Sequence, residues 1–447
     1  MVDRSAQIRS LLAGAPVAAG VLRTGLGITR PTLARALATM PGEIVTLGAA
    51  RAIRYALRDN FRGLPDIPVY RVNAAGQIRL LGQLIPVRPH GFVMVQADGE
   101  RVFHDGLPWW VNDMRPQGFL GRAYARQHAT GLGLPPDVRH WSDTDALRAL
   151  VSSGGDTVGN LLLGELARDR FVNSPAPSVA QANDYPRLAD EALTVGETWS
   201  SAGGEQPKFC TYTDRGHVLV KFTSSDDNRI AARWRDLLLA EHLALETLAE
   251  AGVSAALSRL VDVGAQRFLE LDRFDRVGVR GRHALMSLAS LDGEFVGNAT
   301  APWPVVTQEL ARQKTITPKA HAGAALLYAF GTLIGNTDMH AGNLSFVSDR
   351  GRPYELGPAY DMLPMALSPT AGGLVRDTLP GAHLHSSVDG ETWRCAAVLA
   401  GAYLIRLRND TGFSADFEPC IDALSGHLDE ASQRMCRLVL QPRNIET

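Results

Sequence analysis

Hydrophobic residues follow two different periods along this chain. A spacing close to 3.6 residues predicts helices over residues 3–12, 17–23, 143–150, 157–168 and 229–251. Alternation of apolar and polar residues over 68–104, broken by glycine-containing turns, predicts a small β-rich module. Strands are also expected at 217–223, 258–263 and 266–272, and a buried helix at 322–334. The pattern therefore predicts an α+β protein built from more than one unit.

The first 62 residues form a distinct basic unit. Its helices, a glycine turn at 25–27, a third helix capped by Thr29 and a hairpin from 43–47 and 51–57 are typical of a winged helix-turn-helix. Ile8, Leu11 and Leu12 are expected to face inward from the first helix. Segment 1–60 holds eight Arg and three acidic residues, a net charge of +5 that favours contact with DNA phosphates. The expected DNA-binding residues are Arg30, Thr32 and Arg35, and a small protein-interaction domain is the alternative.

Composition narrows the class of protein further. The whole chain has 447 residues and a net charge of −2, so nothing indicates a polyanion-binding protein overall. Cysteines at 210, 395, 420 and 436 have no metal-binding spacing, which favours reduced thiols in the cytosol. The most apolar segment, 322–334, is too short to cross a bilayer, so no membrane partner is expected.

The segment 335–346 carries the first candidate chemistry. Asp338, His340 and Asn343 lie within six positions, and the Asp-x4-Asn spacing is that of a catalytic loop for phosphoryl transfer. In such a loop the carboxylate meets the attacking hydroxyl and the amide oxygen binds a metal ion close by. A polar turn with Asx caps can produce the same spacing, so this motif alone does not distinguish a catalytic loop from a turn.

Three further motifs occur in the order that a protein kinase requires. A small-residue loop at 200–208 precedes a strand that contains Lys221, and Asp361 follows the catalytic loop between apolar neighbours. The order of loop, strand lysine, catalytic Asp and Asn, and second metal Asp indicates a kinase more strongly than any one motif does.

Together these motifs resemble the HipA-type serine/threonine kinases, the toxin halves of bacterial toxin–antitoxin systems. The resemblance rests on 201–208, 272–276, 335–346 and 360–363, and it covers about residues 65–447. The N-terminal winged helix joined to that core resembles the YjjJ-like subgroup. The fold implied is a two-lobed protein-kinase-like core at 136–447, a small β-rich subdomain at 65–135, and a winged helix-turn-helix at 1–62.

The resemblance implies a role for each motif residue. Lys221 would hold the phosphates of ATP, Asp338 would be catalytic, and His340 would brace the loop. Asn343 and Asp361 would bind Mg²⁺, while Asp272 and Phe274 would lie at the adenine-side hinge. Ser201 would be an autophosphorylation site in a nucleotide-binding loop whose other expected contacts are Gly203, Gly204, Gln206 and Lys208.

One departure from the family leaves a residue unassigned. The helix after the lysine strand should open with an Asn-Glu pair, but residues 232–236 read Ala-Arg-Trp-Arg-Asp. The carboxylate that pairs with Lys221 is therefore either Asp236 or Glu241.

The expected activity is ATP- and Mg²⁺-dependent phosphorylation of a protein, with aminoacyl-tRNA synthetases among the substrates known in the family. DNA, an antitoxin and a second copy of the chain are further expected partners. Two other functions remain open at this point. One is a DNA-binding regulator whose kinase fold only binds nucleotide, and the other is a metal-dependent nuclease that uses the same three residues.

Overall fold

A computed structural model describes residues 3–49, 52–153, 156–194, 206–370 and 372–440. The elements of the first unit are α1 Arg4–Leu12, β1 Val17–Ala18, α2 Ala19–Leu26, α3 Arg30–Ala38, β2 Ile44–Leu47 and β3 Arg54–Leu57. The three strands form an antiparallel sheet in the order β1-β3-β2. Within the described residues, no helix is long and apolar enough to span a bilayer.

Local chemistry explains the boundaries of the first helices. The Asp3 carboxylate caps α1 by accepting from the amides of Ser5 and Ala6. Gly27 ends α2 with φ of 63°, a left-handed conformation that glycine adopts without steric cost. Two expectations were wrong. Val17 belongs to a short strand paired with Tyr55 rather than to a helix, and Leu11 is 41% exposed rather than inward-facing.

The middle unit is a five-stranded antiparallel sheet in the order β7-β6-β5-β4-β8, with helices packed against it. Its elements are β4 Ile67–Val72, β5 Ile78–Pro86, β6 Phe92–Gln96, β7 Arg101–His104, α4 Gly118–Leu132, α5 Asp143–Ser153, β8 Leu161–Leu163 and α6 Glu165–Asn173.

The prediction of a helix over 157–168 was wrong for residues 157–164, because only the last four of its residues belong to α6. The apolar triplet of β8 pairs with β4, and Gly159 and Gly164, with φ of 78° and 86°, separate it from its neighbours. The sheet thus includes residues that the sequence analysis assigns to the kinase-like core.

Apolar contacts join the first unit to the middle unit. Val45, Leu47 and Ala56 pack in one buried cluster with Val87 and Val93 of the middle unit. A guanidinium nitrogen of Arg101 also donates to the backbone oxygen of Thr46 at 2.9 Å. The face of the small sheet that packs here is therefore unavailable for other partners.

The third unit begins with α7 Tyr185–Thr194 and a four-stranded antiparallel sheet in the order β11-β12-β10-β9. Its strands are β9 Lys208–Thr213, β10 Gly216–Phe222, β11 Ser258–Val263 and β12 Gln266–Asp272. Helix α8, Arg229–Glu250, packs on this sheet, and the Asn228 side chain caps it by accepting from the Ala231 amide. The last two strands and the bounds of this helix confirm the sequence expectations.

The rest of the third unit is mainly helical. Short strands β13 Arg276–Val277 and β14 Gly281–Arg282 form a ribbon, and β15 Leu285–Ser287, β16 Ser345–Val347 and β17 Glu355–Leu356 form a small sheet. The helices are α9 Leu288–Phe295, α10 Trp303–Arg312, α11 Pro318–Leu333, α12 Gly390–Asn409 and α13 Glu418–Leu440. Helix α11 is buried along most of its length and leads into the segment 335–346, as expected.

An ionic cluster, buried except for the partly exposed Asp156, joins the middle unit to the end of β12. Asp156 bonds to Arg273 and Arg276, and Asp275 bonds to the same two guanidinium groups. The Gly159 amide also donates to Asp275 at 3.0 Å. Each buried charge has an opposite charge and further hydrogen bonds, which is the condition under which such groups are tolerated.

Candidate active site

Side-chain amides fix the shape of the segment 335–346. The Asn336 side-chain oxygen accepts from the Asp338 amide at 3.0 Å, and its NH₂ group donates to the Asp361 backbone oxygen at 2.9 Å. The Asn343 NH₂ group donates to the Asp338 backbone oxygen at 2.9 Å. Asn336 thus ties the candidate catalytic segment to the candidate metal ligand. Asn336 was not among the predicted site residues. Its only signal in the sequence is its position two residues before Asp338.

His340 has the contacts expected of a structural brace. Its Nδ1 accepts from the Gly342 amide at 3.0 Å, and its backbone oxygen accepts from the Trp303 indole N–H at 3.1 Å. The Gly342 amide can donate to Nδ1 only if that nitrogen carries no hydrogen and offers its lone pair. His340 therefore orders the loop between Asp338 and Asn343.

The buried ammonium of Lys221 makes two ion pairs. Its Nζ atom lies 2.7 Å from both carboxylate oxygens of Glu241 and also contacts the Asp361 carboxylate. Asp236, the other candidate partner, accepts instead from the amide and hydroxyl of Ser414. The structure thus selects Glu241, which lies three turns into α8, as the partner of Lys221.

Opposite charges compensate for burial at this site. Burial by itself would lower the pKa of Lys221, but Asp361 and Glu241 raise it above its ordinary value. Burial would likewise raise the pKa of Asp361, but Lys221 and Lys208 hold it below its ordinary value. The site therefore keeps a charged ammonium beside a charged carboxylate, the pair that a metal–phosphate ligand needs.

Asp361 has an unusual backbone conformation. Its φ is 54°, in the left-handed region that non-glycine residues seldom adopt. The Asn336 amide holds its carbonyl, and the hydroxyl of the preceding Tyr360 donates to the Gly342 backbone oxygen at 2.8 Å. These bonds to the segment 335–346 maintain a strained geometry that aims the carboxylate at Lys221.

One cavity of about 430 Å³ brings most of the expected site residues together, and we call it the central cavity. Its polar lining consists of Gln206, Lys208, Lys221, Asp338, His340, Asn343, Asp361 and Thr370. The central cavity is not lined by Asp272, the last residue of β12, or by Phe274, two residues later. Asp272 pairs with Arg215, and Phe274 packs against Tyr360. Ser201, Gly203 and Gly204 lie outside the described residues.

The chemistry of this lining suits a metal–nucleotide complex. Asp361 offers a carboxylate and Asn343 an amide oxygen, the hard oxygen ligands that Mg²⁺ prefers. Lys208 lies opposite Lys221 in the β9–β10 pairing, so two ammonium groups face the cavity from adjacent strands. Burial lowers the pKa of Lys208. A bound anionic ligand would act in the opposite direction and favour the charged ammonium.

Asp338 opens onto the cavity near Asp361. Partial burial raises the pKa of its carboxyl group, with the nearby Asp361 charge acting in the same direction and the Lys221 and Lys208 charges opposing it. A carboxylate whose pKa is raised in this way is a better proton acceptor than an ordinary aspartate.

Sequence comparison identifies two regions of the chain. Residues 64–172 match the family described as "YjjJ-like toxin, middle domain", and residues 200–431 match the "HipA-like C-terminal domain". The chain is 37% identical over 442 residues to Toxin YjjJ of Escherichia coli (strain K12), covering 97% of this chain and 99% of that protein.

Two solved structures are weakly similar to this chain. One is HipA of Shewanella oneidensis MR-1, solved as a complex with HipB and operator DNA. It has a TM-score of 0.46 and 16% identity, covering 85% of this chain and 92% of that one. The other is the Helicobacter pylori proinflammatory kinase CtkA, with a TM-score of 0.37 and 16% identity, covering 54% and 95%. With near-complete coverage of its curated relative, this chain belongs to the YjjJ-like family of toxins with a HipA-like C-terminal domain.

Proposed function

We propose that this protein is an ATP- and Mg²⁺-dependent serine/threonine protein kinase. The observation that carries the proposal is the position of Lys221, which pairs with Glu241 and Asp361 at one cavity that Asp338 and Asn343 also line. A lysine that pairs with a helix glutamate, facing a catalytic Asp and a metal Asp, is the constellation that phosphoryl transfer by kinases uses.

Different residues bind the phosphates of ATP and accept the proton of the acceptor hydroxyl. Lys221, fixed by Glu241, binds and orients the phosphates of ATP, and Lys208 adds a second positive charge. Asp338 orients the acceptor hydroxyl and takes its proton. The acceptor oxygen then bonds to the γ-phosphorus while the bond from that phosphorus to the β–γ bridging oxygen breaks, and ADP leaves.

Asp361 and Asn343 are the residues that would hold Mg²⁺. When bound, the ion neutralises the charge of the phosphates during transfer. Asp361 would divide its contacts between Lys221 and the ion, and Lys221 would keep Glu241 as its counter-ion. The pair with Glu241 therefore holds the lysine in place whether or not nucleotide is bound.

The small-residue loop before β9 supports a regulatory site within the same proposal. Ser201 is the proposed autophosphorylation site, and Gly203 and Gly204 of the same sequence motif are proposed nucleotide contacts. A phosphate on Ser201 adds nearly two negative charges near those of ATP, so it should weaken nucleotide binding. Protein substrates such as an aminoacyl-tRNA synthetase, and a separate antitoxin, are the partners that family membership favours.

The first unit is proposed to be a winged helix-turn-helix that binds DNA. Helices α2 and α3 are joined by a three-residue turn at 27–29, and β2 and β3 form the hairpin. Arg30 and Arg35 are exposed on α3, while the Thr32 hydroxyl bonds to that of Thr29. The sheet face behind the helices packs on the middle unit, which leaves α3 open to a partner.

The decisive experiment is incubation of the purified chain with γ-labelled ATP and Mg²⁺. Label should appear on the protein or on added peptide, and mass spectrometry should locate part of it at Ser201. Asp338→Asn is the matched control and should slow labelling by roughly 10²–10⁴. Nucleotide binding without any transfer would favour the regulator, and metal-dependent cleavage of DNA without ATP would favour the nuclease.

A further inference from the structure

A second cavity of about 670 Å³ adjoins the central cavity, and we call it the second cleft. Asp338 and His340 line both cavities. The rest of the second cleft is formed by the loop before α10, the end of α11, the catalytic segment, the loop before α12, and His427 of α13. The proposed proton acceptor thus stands at the junction of two spaces, one of which contains the phosphate-binding lysines.

The described lining of the second cleft contains no Lys or Arg. About half of its residues are small or apolar, including Ala299, Pro302, Met339 and Ala382, and the others are mainly uncharged polar residues and histidines. Asp338 is its one carboxylate, and it has imidazoles at His383, His385 and His427 besides His340. Binding of a nucleic-acid backbone depends on Lys and Arg, so this lining suits an uncharged peptide segment better than a polyanion.

His427 provides a specific polar contact at the base of this cleft. Its side chain is buried, with 6% of its surface exposed, and Nε2 lies 3.1 Å from the Thr332 backbone oxygen. A carbonyl oxygen only accepts, so Nε2 carries the hydrogen, and in the neutral ring Nδ1 is left as an acceptor. Among the described residues no hydrogen-bond partner reaches His427 Nδ1.

A buried acceptor without a donor is unfavourable, so it indicates a ligand that supplies one. Thr332 and Tyr328 also line the cleft, but they do not supply the missing donor to His427 Nδ1. The Thr332 hydroxyl donates instead to the Tyr328 backbone oxygen at 2.9 Å. An extended peptide carries a backbone N–H at every residue other than proline, and it fits a cleft that combines apolar surface with hydrogen-bonding side chains.

We propose that the second cleft binds the phosphoacceptor segment of a protein substrate and that His427 Nδ1 accepts a hydrogen bond from its backbone. The acceptor serine or threonine then lies at Asp338, with small or apolar residues beside it in the cleft. This assignment rests on the proposed kinase function and adds to it the acceptor site and a residue that determines affinity for the acceptor.

The test uses peptides with one fixed serine and randomised neighbours, together with γ-labelled ATP and Mg²⁺. His427→Gln keeps an N–H donor for the Thr332 oxygen but removes the Nδ1 acceptor. For the preferred peptide pool, KM should rise about tenfold, the factor for one hydrogen bond, while KM for ATP stays unchanged. His321→Gln, at a half-buried histidine bonded to Thr307 away from both cavities, is the control and should leave both constants unchanged.

A second variant tests the cleft without disturbing buried residues. Ala299 is exposed at the edge of the cleft, so Ala299→Trp should fold normally and raise KM for the peptides by obstruction. Ala402→Trp, on the exposed face of α12, is its matched control.

The outcomes separate this proposal from the one on which it rests. If the unaltered protein transfers label to nothing, the kinase function is wrong. If it labels peptides and both cleft variants keep the original KM, the acceptor assignment is wrong. Duplex DNA that competes with the peptides in the unaltered protein, but not in Ala299→Trp, would overturn it in favour of a nucleic-acid cleft.

Discussion

Lys221 and Glu241 form a buried ion pair that joins strand β10 to helix α8. The Lys221 ammonium lies 2.7 Å from each oxygen of the Glu241 carboxylate, and the two side chains are 3% and 0% exposed. Because the helix supplies the counter-ion, any rotation or shift of α8 moves the lysine that faces the central cavity. The pair therefore couples the position of a helix to the geometry of the site.

Replacing Glu241 should impair nucleotide use more than stability. In Glu241→Gln the lysine keeps Asp361 as a counter-ion, so the free energy of unfolding should fall by only about 1–3 kcal/mol. Asp361 would then be held by the lysine rather than released to a metal ion, and kcat/KM for ATP should fall at least about tenfold. Asp236→Asn, which keeps an acceptor for only one of the two bonds from Ser414, should lower stability while KM for ATP stays the same. A normal kcat/KM in Glu241→Gln would contradict the assigned role.

The two aspartates should separate in binding experiments. Asp338→Asn removes the proton acceptor but no phosphate or metal contact, so Mg-nucleotide affinity should persist while the rate falls by roughly 10²–10⁴. Asp361→Asn should weaken Mg²⁺-dependent nucleotide binding as well as turnover. Titration of nucleotide with and without Mg²⁺ checks both, because the Asp361 change should matter little without metal. The opposite pattern would show that the two roles are exchanged.

Arg233 should be required for the segment that follows Asp361. Its guanidinium group donates to the backbone oxygens of Leu367 and Arg376 at 2.9 and 2.6 Å and to Asp377 at 2.5 Å. Arg233→Ala should cost about 2–4 kcal/mol in urea unfolding, because buried acceptors lose their donor while Asp377 remains partly hydrated. Arg235→Ala, at the more exposed neighbour, is the control and should cost less than about 1 kcal/mol. Equal losses in both variants would argue against a specific role for Arg233.

The Asp275 cluster should make stability depend on pH in a defined window. Burial opposes ionisation, but Arg273 and Arg276 hold the pKa of Asp275 at about 2, below the unfolded value of about 3.9. A depressed pKa contributes stability that is fully present above about pH 4 and is lost as pH falls toward 2. Asp275→Asn should therefore cost about 2–3 kcal/mol at pH 7, with the difference from the unaltered protein shrinking below pH 4. Urea unfolding at several pH values measures this, and Asp422→Asn, at an exposed residue, is the control. A difference that stays constant down to pH 2 would exclude the linkage.

DNA binding through α3 should depend strongly on salt. If the first unit contacts phosphates, affinity of the full chain for duplex DNA should fall steeply between 50 and 200 mM salt, by roughly 10³-fold or more for six contacts. Arg35→Ala should weaken binding about tenfold if it reads a base edge, whereas Arg79→Ala in the middle unit should not. Binding that is insensitive to salt and to Arg35 would leave the protein-interaction alternative.

Much of the site could be predicted because its signals are local. Asp338 and Asn343 share one short segment, and the bonds that fix them run within that segment or to Asp361. Strands β11 and β12 could likewise be placed to the residue, because two apolar runs flank a tight turn. The Lys221 strand follows from the same kind of pattern. In these cases the sequence determined the outcome, since spacing along the chain sets which groups can meet.

Tertiary packing decided the rest. Asp236 and Glu241 both lie on α8, and only the rotation of that helix against β10 brings Glu241 to Lys221 while Asp236 meets Ser414. The triplet 161–163 fits a helix by its local pattern, but pairing with β4 makes it a strand. His427 reaches the second cleft from a helix almost ninety residues after Asp338. No local period records such contacts, because they depend on how separate elements share one buried space.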